Sequence, residues 1–340
     1  MTRSISKDHG VKLYSSENLV MNREFWRGKR VLLTGHTGFK GSWLSLWLQE
    51  LGARVVGYSL PPPTEPSLFE LADVGQGMET VVGDIRNLDN LRTVFKRYQP
   101  EIVLHLAAQS LVGTSYVQPV DTYTTNVIGT VHVLEAARTT TGVRVLLNVT
   151  SDKCYDNQER IWGYREFEPM GGEDPYASSK GCAELVTAAY RASFFRGKQA
   201  TVAVASARAG NAIGGGDWAE HRLIPDLIRS IERKAPLGVR NPDSIRPWQH
   251  VLEPLSGYLL AERLWQDRCE FAESWNFGPN DDDARSVRWI IERLIALWGE
   301  GASWNIEKAM ELHEADYLRL DSLKARTLLG WRPAGASIAR

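Results

Sequence analysis

Tyr176 and Lys180 are four residues apart in Tyr176-Ala177-Ser178-Ser179-Lys180. On a helix this spacing puts both side chains on one face, one turn apart. An ammonium beside a phenol favours the phenolate and lowers its pKa from the ordinary ~10, so the pair predicts a tyrosine base working near neutrality. Upstream, the polar segment Thr150-Ser151-Asp152-Lys153 follows a strand-like apolar run, Val145–Val149. Ligands bind at strand carboxyl ends in open α/β sheets. Ser151, Asp152 and Lys153 therefore join Tyr176 and Lys180 as candidate catalytic groups.

A second group of residues suits a bound nucleotide. Thr34-Gly35-His36-Thr37-Gly38-Phe39-Lys40-Gly41 lies between the strand-like Arg30–Thr34 and a helical stretch, Ser42–Leu51. Glycines here let the backbone turn sharply and approach a pyrophosphate at the positive end of the helix. The spacing is G-x-x-G-x-x-G, not the G-x-G-x-x-G fingerprint, and a plain strand–helix turn would use glycines as well. The place of the triplet, at the first strand–helix junction, points to cofactor binding. Tyr58, Ser59 and Leu60 end the second strand-like run. No acid stands there for an NAD ribose and no arginine for a 2′-phosphate, so that position leaves cofactor choice open. Asp84, in Gly83-Asp84-Ile85-Arg86, fits either an adenine contact or an N-cap to the next helix.

The elements that must carry these groups are readable as alternating strands and helices. Strands are expected at Arg30–Thr34, Arg54–Tyr58, Thr80–Val82, Ile102–Leu106, Val145–Val149 and Thr201–Ala205. Helices are expected at Ser42–Leu51, Leu88–Tyr98, Val127–Arg138 and Gly181–Phe195, with a proline-enforced loop at Pro61-Pro62-Pro63. This alternation predicts an α/β fold, a doubly wound, Rossmann-like parallel sheet covered on both faces. The 340 residues suggest two domains, or one α/β unit with a smaller C-terminal α/β lobe. The expected division is a tail at 1–23, a nucleotide-binding domain at 24–210 and 245–278, and a substrate lobe at 211–244 and 279–340.

Composition narrows the partners. Forty Lys and Arg against 41 Asp and Glu leave a formal charge of −1, which argues against a nucleic-acid binder relying on bulk charge. No apolar run approaches the ~18 residues of a membrane span, and Met1–Val20 lacks the apolar core of a secretory signal. Cys154, Cys182 and Cys269 have no metal-type spacing, so a cytoplasmic protein with no metal is expected. The 12 tryptophans are unusual. Trp43 and Trp47 share a helix face and suit a core, whereas Trp218 and Trp248 are candidates to line a ligand pocket.

Taken with Leu106-Ala107-Ala108-Gln109 and with Asn126 in Asn-Val-Ile-Gly-Thr, the glycine loop and the Tyr176/Lys180 pair resemble the extended short-chain dehydrogenase/reductases. Longer strings are similar to the CDP-glucose 4,6-dehydratases within that superfamily. They include Gly35–Leu44, Pro63–Phe69, Thr150–Tyr155, Arg208–Asn211, Gly214–Trp218 and Arg246–Val251, and the likeness runs from about Phe25 to Pro333. It implies NAD held by Gly35, Thr37, Gly38, Phe39, Lys40, Asp84, Ile85, Leu106, Ala107, Ala108, Asn126, Tyr176 and Lys180. It implies a nucleotide sugar, CDP-glucose, held by Gln109, Asn211, Leu223, Arg246 and Asn276. A homodimer or homotetramer is implied too, as is a final helix after Leu328–Pro333, where this sequence has Ala334–Arg340.

The implied reaction oxidises the sugar at C4, eliminates water across C5–C6 and returns the hydride to C6, on the way to deoxy sugars of bacterial surface polysaccharide. Tyr176 would take the 4-hydroxyl proton, Ser151 bond the C4 oxygen and Asp152 protonate the departing 6-hydroxyl. Lys153 stands where the dTDP-glucose dehydratases have Glu, so it either takes the C5 proton in neutral form or pairs with Asp152 or a phosphate. Other readings are an epimerase, which needs no Asp152/Lys153 pair, a dehydratase for another nucleotide hexose, and a non-catalytic NAD-binding regulator.

Overall fold

The computed structural model describes residues 22–197, 200–280, 283–299, 301–307 and 316–333. Most of residues 1–23 and all of Ala334–Arg340 lie outside them. Seven strands build one parallel sheet: β1 (Arg30–Thr34), β2 (Arg54–Ser59), β3 (Glu79–Val82), β4 (Ile102–His105), β5 (Val145–Val149), β6 (Ala203–Ala209) and β7 (Ser274–Phe277). Their order is β7-β6-β5-β4-β1-β2-β3, every neighbouring pair parallel. The central strands are apolar on both faces because both faces are covered, as parallel sheets require.

The alternation of side chains sorts neighbours into two cores. Leu33, Leu104, Leu147 and Ala205 pack on one face with Leu44, Leu48, Leu255 and Trp275. Leu32, Val103, Leu146 and Val204 pack on the other with Leu91, Phe95 and Leu134. Helices among those flanking the sheet are α1 (Phe39–Glu50), α2 (Leu88–Tyr98), α3 (Gly129–Thr139) and α4 (Pro175–Phe194). Helix α4 starts six residues before the expected Gly181. Asp174 accepts from the Ala177 amide as its N-cap and Pro175 occupies the first turn, where its missing N–H costs nothing. Tyr176 and Lys180 thereby become residues of the first two turns.

Strand β7 pairs with β6 and was absent from the expected set. Short strands outside the sheet pair residues 212–213 with 249–250, 245–247 with 284–286, and 237–239 with 304–306. Helix α5 (Leu223–Glu232) packs Leu227 against Leu237, Val239 and Ile291 in a separate cluster. Some of the tryptophans are core: Trp26, Trp275 and Trp331 are almost fully buried, whereas Trp162 and Trp298 are exposed. Trp248 is also buried and donates its indole N–H to the Arg285 carbonyl at 2.9 Å, which ties two short strands together instead of lining a pocket.

Two buried histidines flank the first junction. His36 packs edge-on to Phe69 with both ring nitrogens unpartnered among the described residues, and burial lowers its pKa to about 4. His105 pairs with Thr34 Oγ1 at 2.7 Å, and burial, followed by the Lys180 charge, lowers it to about 3. Both are neutral in the fold and gain a proton more readily once unfolded. Their stabilisation is therefore complete above pH 6.5 and is lost as the pH falls through about 4. Urea titrations should show a constant midpoint above neutrality and a falling one below pH 6.5, with a shallower fall in His36→Leu. Equal slopes in the two proteins would contradict this.

Candidate active site

The first wall of the site is the turn after β1. Gly35 has φ +77°, and a Cβ there would lie 2.7 Å from the Ala107 nitrogen, so only glycine lets this turn meet the chain leaving β4. Thr34 Oγ1 accepts from the amides of Leu106 and Ala107, both at 3.2 Å, and closes the same seam. The third glycine is equally constrained, since a Cβ on Gly41 would sit 2.0 Å from the Gly35 carbonyl oxygen. Gly38 caps α1 without a side-chain hydrogen bond, and no acid stands in the first turn. That leaves a helix start whose amides and positive dipole end suit an anionic group, and the loop fits a cofactor pyrophosphate. Thr37 is tied to Ser59 by a 2.6 Å hydroxyl pair, in the position where the ribose acid was sought.

The second wall joins the end of β5 to α4. Asp152 is 4% exposed. Its Oδ1 accepts from Ser151 Oγ at 3.0 Å, whereas Oδ2 has no partner among the described residues and faces Gly210, where a Cβ would be 2.7 Å away. Burial raises the Asp152 pKa, against the opposing pull of Lys153, the Ser151 hydrogen bond, Lys40 and Arg246. A buried acid with one free oxygen is disposed to carry a proton. Lys153 reaches the same turn half-buried and makes no ion pair with Asp152.

Tyr176 and Lys180 are buried on α4, at 8% and 6% exposure. The expected lowering of the phenol is not what this structure shows. Burial raises Tyr176 to about 12, opposed by a hydrogen bond with Ser151 and by the Arg222 charge, while Asp152 and Asp174 raise it further. Helical spacing fixes the shared face, but desolvation of the phenolate is the largest effect on the phenol. Lys180 is itself lowered to about 8 by burial and by Lys40. Lys40 is lowered to about 8 by burial and Arg222, against Asp152 and Asp217. Lys40 is thus coupled to Asp152 and Lys180 as well as standing in the glycine turn.

The remaining candidates divide. Arg246 is buried and acts on Asp152. Asn211 is half-buried, and its carbonyl accepts from the Gln249 amide at 3.1 Å. Leu106, Ala107 and Ala108 are half-buried beside the Gly35 seam. Asn126 is buried, its Oδ1 accepting from the Gln109 amide and its Nδ2 donating to the Gln109 carbonyl and Ser179 Oγ, which fastens this loop to α4. Gln109 spends both side-chain N–H groups on the Leu111 carbonyl and Thr122 Oγ1. Asn276 is 0% exposed; its Oδ1 accepts from Tyr155 OH and its Nδ2 donates to the carbonyls of Tyr164 and Asp321. With its amide committed to the fold, Asn276 has no N–H left to offer a substrate, contrary to expectation. Leu223 packs against the small cluster of α5. Asp84 is no N-cap, since Asn87 caps α2; Asp84 is ion-paired with Arg86 at 2.6 Å, which holds its pKa down. Ile85 packs beneath Gly129.

Three groups near the cluster were not among the expected site residues. Arg222 is paired with Asp217 at 2.9 Å and acts on both Lys40 and Tyr176. Tyr258 has a buried hydroxyl without a partner among the described residues and feels the charges of Tyr176 and Asp152. Glu184 and Arg208 form a buried ion pair at 2.8 Å behind the site.

Residues 31–265 match the model of the NAD dependent epimerase/dehydratase family. The chain belongs to this family. It is 56% identical over 318 residues to a CDP-glucose 4,6-dehydratase of Salmonella typhimurium, covering 92% of this chain and 89% of that protein. Among solved structures, the epimerase Mth375 of Methanothermobacter thermautotrophicus superposes with a TM-score of 0.79 at 23% identity, over 92% of this chain and 90% of that one. A dTDP-glucose 4,6-dehydratase of Bacillus anthracis in complex with NAD gives 0.76 at 22%, over 91% and 93%. Both share the fold. Family membership makes this an NAD-dependent protein, in keeping with the uncapped glycine turn. No helix among the described residues is long and apolar enough to cross a membrane, and none of their acidic, histidine and cysteine side chains cluster as metal ligands.

Lys40 draws the Asp152 pKa down, so Lys40→Met should raise it. Carbon-13 NMR titration of the Asp152 carboxyl, assigned by its disappearance in Asp152→Asn, reads the change directly. An unchanged or lower apparent pKa in Lys40→Met would contradict the placement of Lys40.

Proposed function

We propose that this chain is an NAD-dependent lyase that dehydrates CDP-glucose to CDP-4-keto-6-deoxyglucose. The observation carrying the reading is the buried Asp152, whose burial favours the protonated form, beside Ser151 and Tyr176, in a chain 56% identical to a CDP-glucose 4,6-dehydratase. An epimerase needs the tyrosine but has no water to eliminate and no use for a buried acid.

The cofactor is assigned to the Gly35–Lys40 turn and helix start, to Asp84 and Ile85, to the Leu106–Ala108 segment with Asn126, and to Tyr176 and Lys180. When bound, NAD supplies a hydride acceptor for C4 that gives the hydride back at C6, and its positive charge favours the Tyr176 phenolate. Tyr176 takes the 4-hydroxyl proton and Ser151 holds the C4 oxygen. The C4 ketone acidifies the C5 hydrogen, which Lys153 in its neutral form removes. Asp152 gives its proton through the free Oδ2 to the 6-hydroxyl, which leaves as water, and a proton returns to C5 at the end. Arg246 and Asn211 face the nucleotide sugar, the planar guanidinium suiting paired phosphate oxygens. Residues 24–210 and 245–278 hold the cofactor, and 211–244 with 279–340 form the sugar-nucleotide lobe.

We place the product in the synthesis of deoxy sugars for bacterial surface polysaccharide, made in the cytoplasm. Exposed Val117, Val120, Ile128, Leu185 and Phe194, on α4 and the helices before α3, support a homo-oligomer formed through that apolar surface.

Incubation with CDP-, dTDP-, UDP- and GDP-glucose should give a 4-keto-6-deoxy product from CDP-glucose foremost. No such product from any of them would end the dehydratase reading. Tyr176→Phe should lower kcat by about 10²–10⁴-fold, the range for a positioned general base. Asp152→Asn should stall elimination after C4 oxidation, visible as accumulated reduced-cofactor absorbance; wild-type dehydration by either variant would overturn the assigned role.

A further inference from the structure

Glu184 lies one turn after Lys180 and two after Tyr176, so the three residues form one stripe along α4. It belongs to neither the cofactor nor the substrate groups, yet its side chain is almost fully buried. Its Oε1 accepts from Thr150 Oγ1 at 2.5 Å, and its Oε2 accepts from Ser206 Oγ at 2.7 Å and Arg208 Nη2 at 2.8 Å. Arg208 also donates through Nη1 to Tyr155 OH at 2.7 Å and to the Glu166 carbonyl at 3.1 Å. One carboxylate therefore gathers the end of β5, two residues of β6 and the turn after Cys154. Thr150 immediately precedes Ser151 and Asp152.

We propose that Glu184 is a positioning residue: its carboxylate fixes the strand end bearing Ser151 and Asp152 against the helix bearing Tyr176 and Lys180. This rests on the dehydratase reading and adds a residue to its machinery. Replacing a buried ion pair by packed apolar groups is often neutral or stabilising, so the pair is poorly explained as a source of stability alone. Its geometry is specific instead, with both oxygens bonded and Oε2 accepting from Ser206 and Arg208 on alternate residues of β6 and, at 3.4 Å, from Ser274 Oγ on β7. Burial pushes Glu184 up, but Arg208 and the hydrogen bonds from Thr150 and Ser206 hold it below the usual range, so the anchor stays charged. The two walls carry groups that must meet a single sugar carbon, and a displacement of an ångström can cost ~10²-fold in rate.

The test separates the Thr150 bond from the rest of the anchor. Thr150→Val keeps the shape and deletes the donor; kcat for CDP-glucose should fall about tenfold or more, with KM and NAD affinity within about twofold. Thr150→Ser restores the hydroxyl and should restore kcat. Ser206→Ala removes a bond to the same carboxylate from the side without reacting groups, and kcat should stay within about twofold while the urea midpoint falls. Glu184→Asp serves if Thr150→Val does not fold, because it keeps the charge for Arg208 and withdraws from Thr150; it should show the same loss of kcat. Wild-type kcat in folded Thr150→Val or Glu184→Asp, or equal losses in Thr150→Val and Ser206→Ala, would overturn the proposal. If wild-type protein itself makes no 4-keto product, the dehydratase reading fails, and this proposal falls with it.

Discussion

The close passage of Gly35 against Leu106 and Ala107 is the constraint on which the site depends. The sheet reverses its winding at β1, with β2 and β3 on one side and β4 to β7 on the other, so a crevice opens beyond the carboxyl ends of β1 and β4. Its floor is tight because Gly35 has no Cβ and the Thr34 hydroxyl bonds the two amides leaving β4. That seam sets the direction of α1. From it, Trp43 donates to the Gly215 carbonyl at 2.9 Å and the Phe39 ring lies against Gly214. Lys40, between them, is carried to Asp152 and Lys180.

Once the walls are set, burial sets the electrostatics. It raises the acid Asp152 and the phenol Tyr176 and lowers the bases Lys180 and Lys40. All four are pushed towards their uncharged forms, and two of them, the lysines, come within reach of neutral pH. Such a site can exchange protons with a substrate without holding a large fixed charge. The Arg208–Glu184 pair behaves oppositely: it stays ionised because each partner is bonded to the other and to neighbouring groups. Charge is thus concentrated behind the reacting groups. A formal charge of −1 for the whole chain leaves recognition of an anionic nucleotide sugar to a few placed cations such as Arg246.

Much of this was legible where the signal is local. The limits of β1, β5 and α2 follow from apolar runs bounded by polar residues, and the glycine triplet marks the turn that needs it. The Ser151-Asp152 and Tyr176/Lys180 segments do meet, as strand-end and helix-face spacing indicated. The rest depends on residues far apart in the chain. Asn276 is a ligand contact by the family resemblance, but Tyr155, Tyr164 and Asp321 occupy its amide. Trp248 reads as a pocket residue, but Arg285 accepts its indole N–H. Glu184 and Arg208, 24 residues apart on different elements, carry no periodic pattern that would pair them. Spacing also suggested a lowered Tyr176 phenol without weighing desolvation, the largest effect on it.

The central claim is that C4 oxidation and C6 reduction are two halves of one internal transfer in this site. CDP-glucose carrying deuterium at C4, turned over by the purified chain in ordinary water, tests it most directly. The account predicts CDP-4-keto-6-deoxyglucose with the deuterium retained in the C6 methyl group and solvent hydrogen at C5. Deuterium lost to solvent, or returned to C4 of an epimerised sugar, would contradict it.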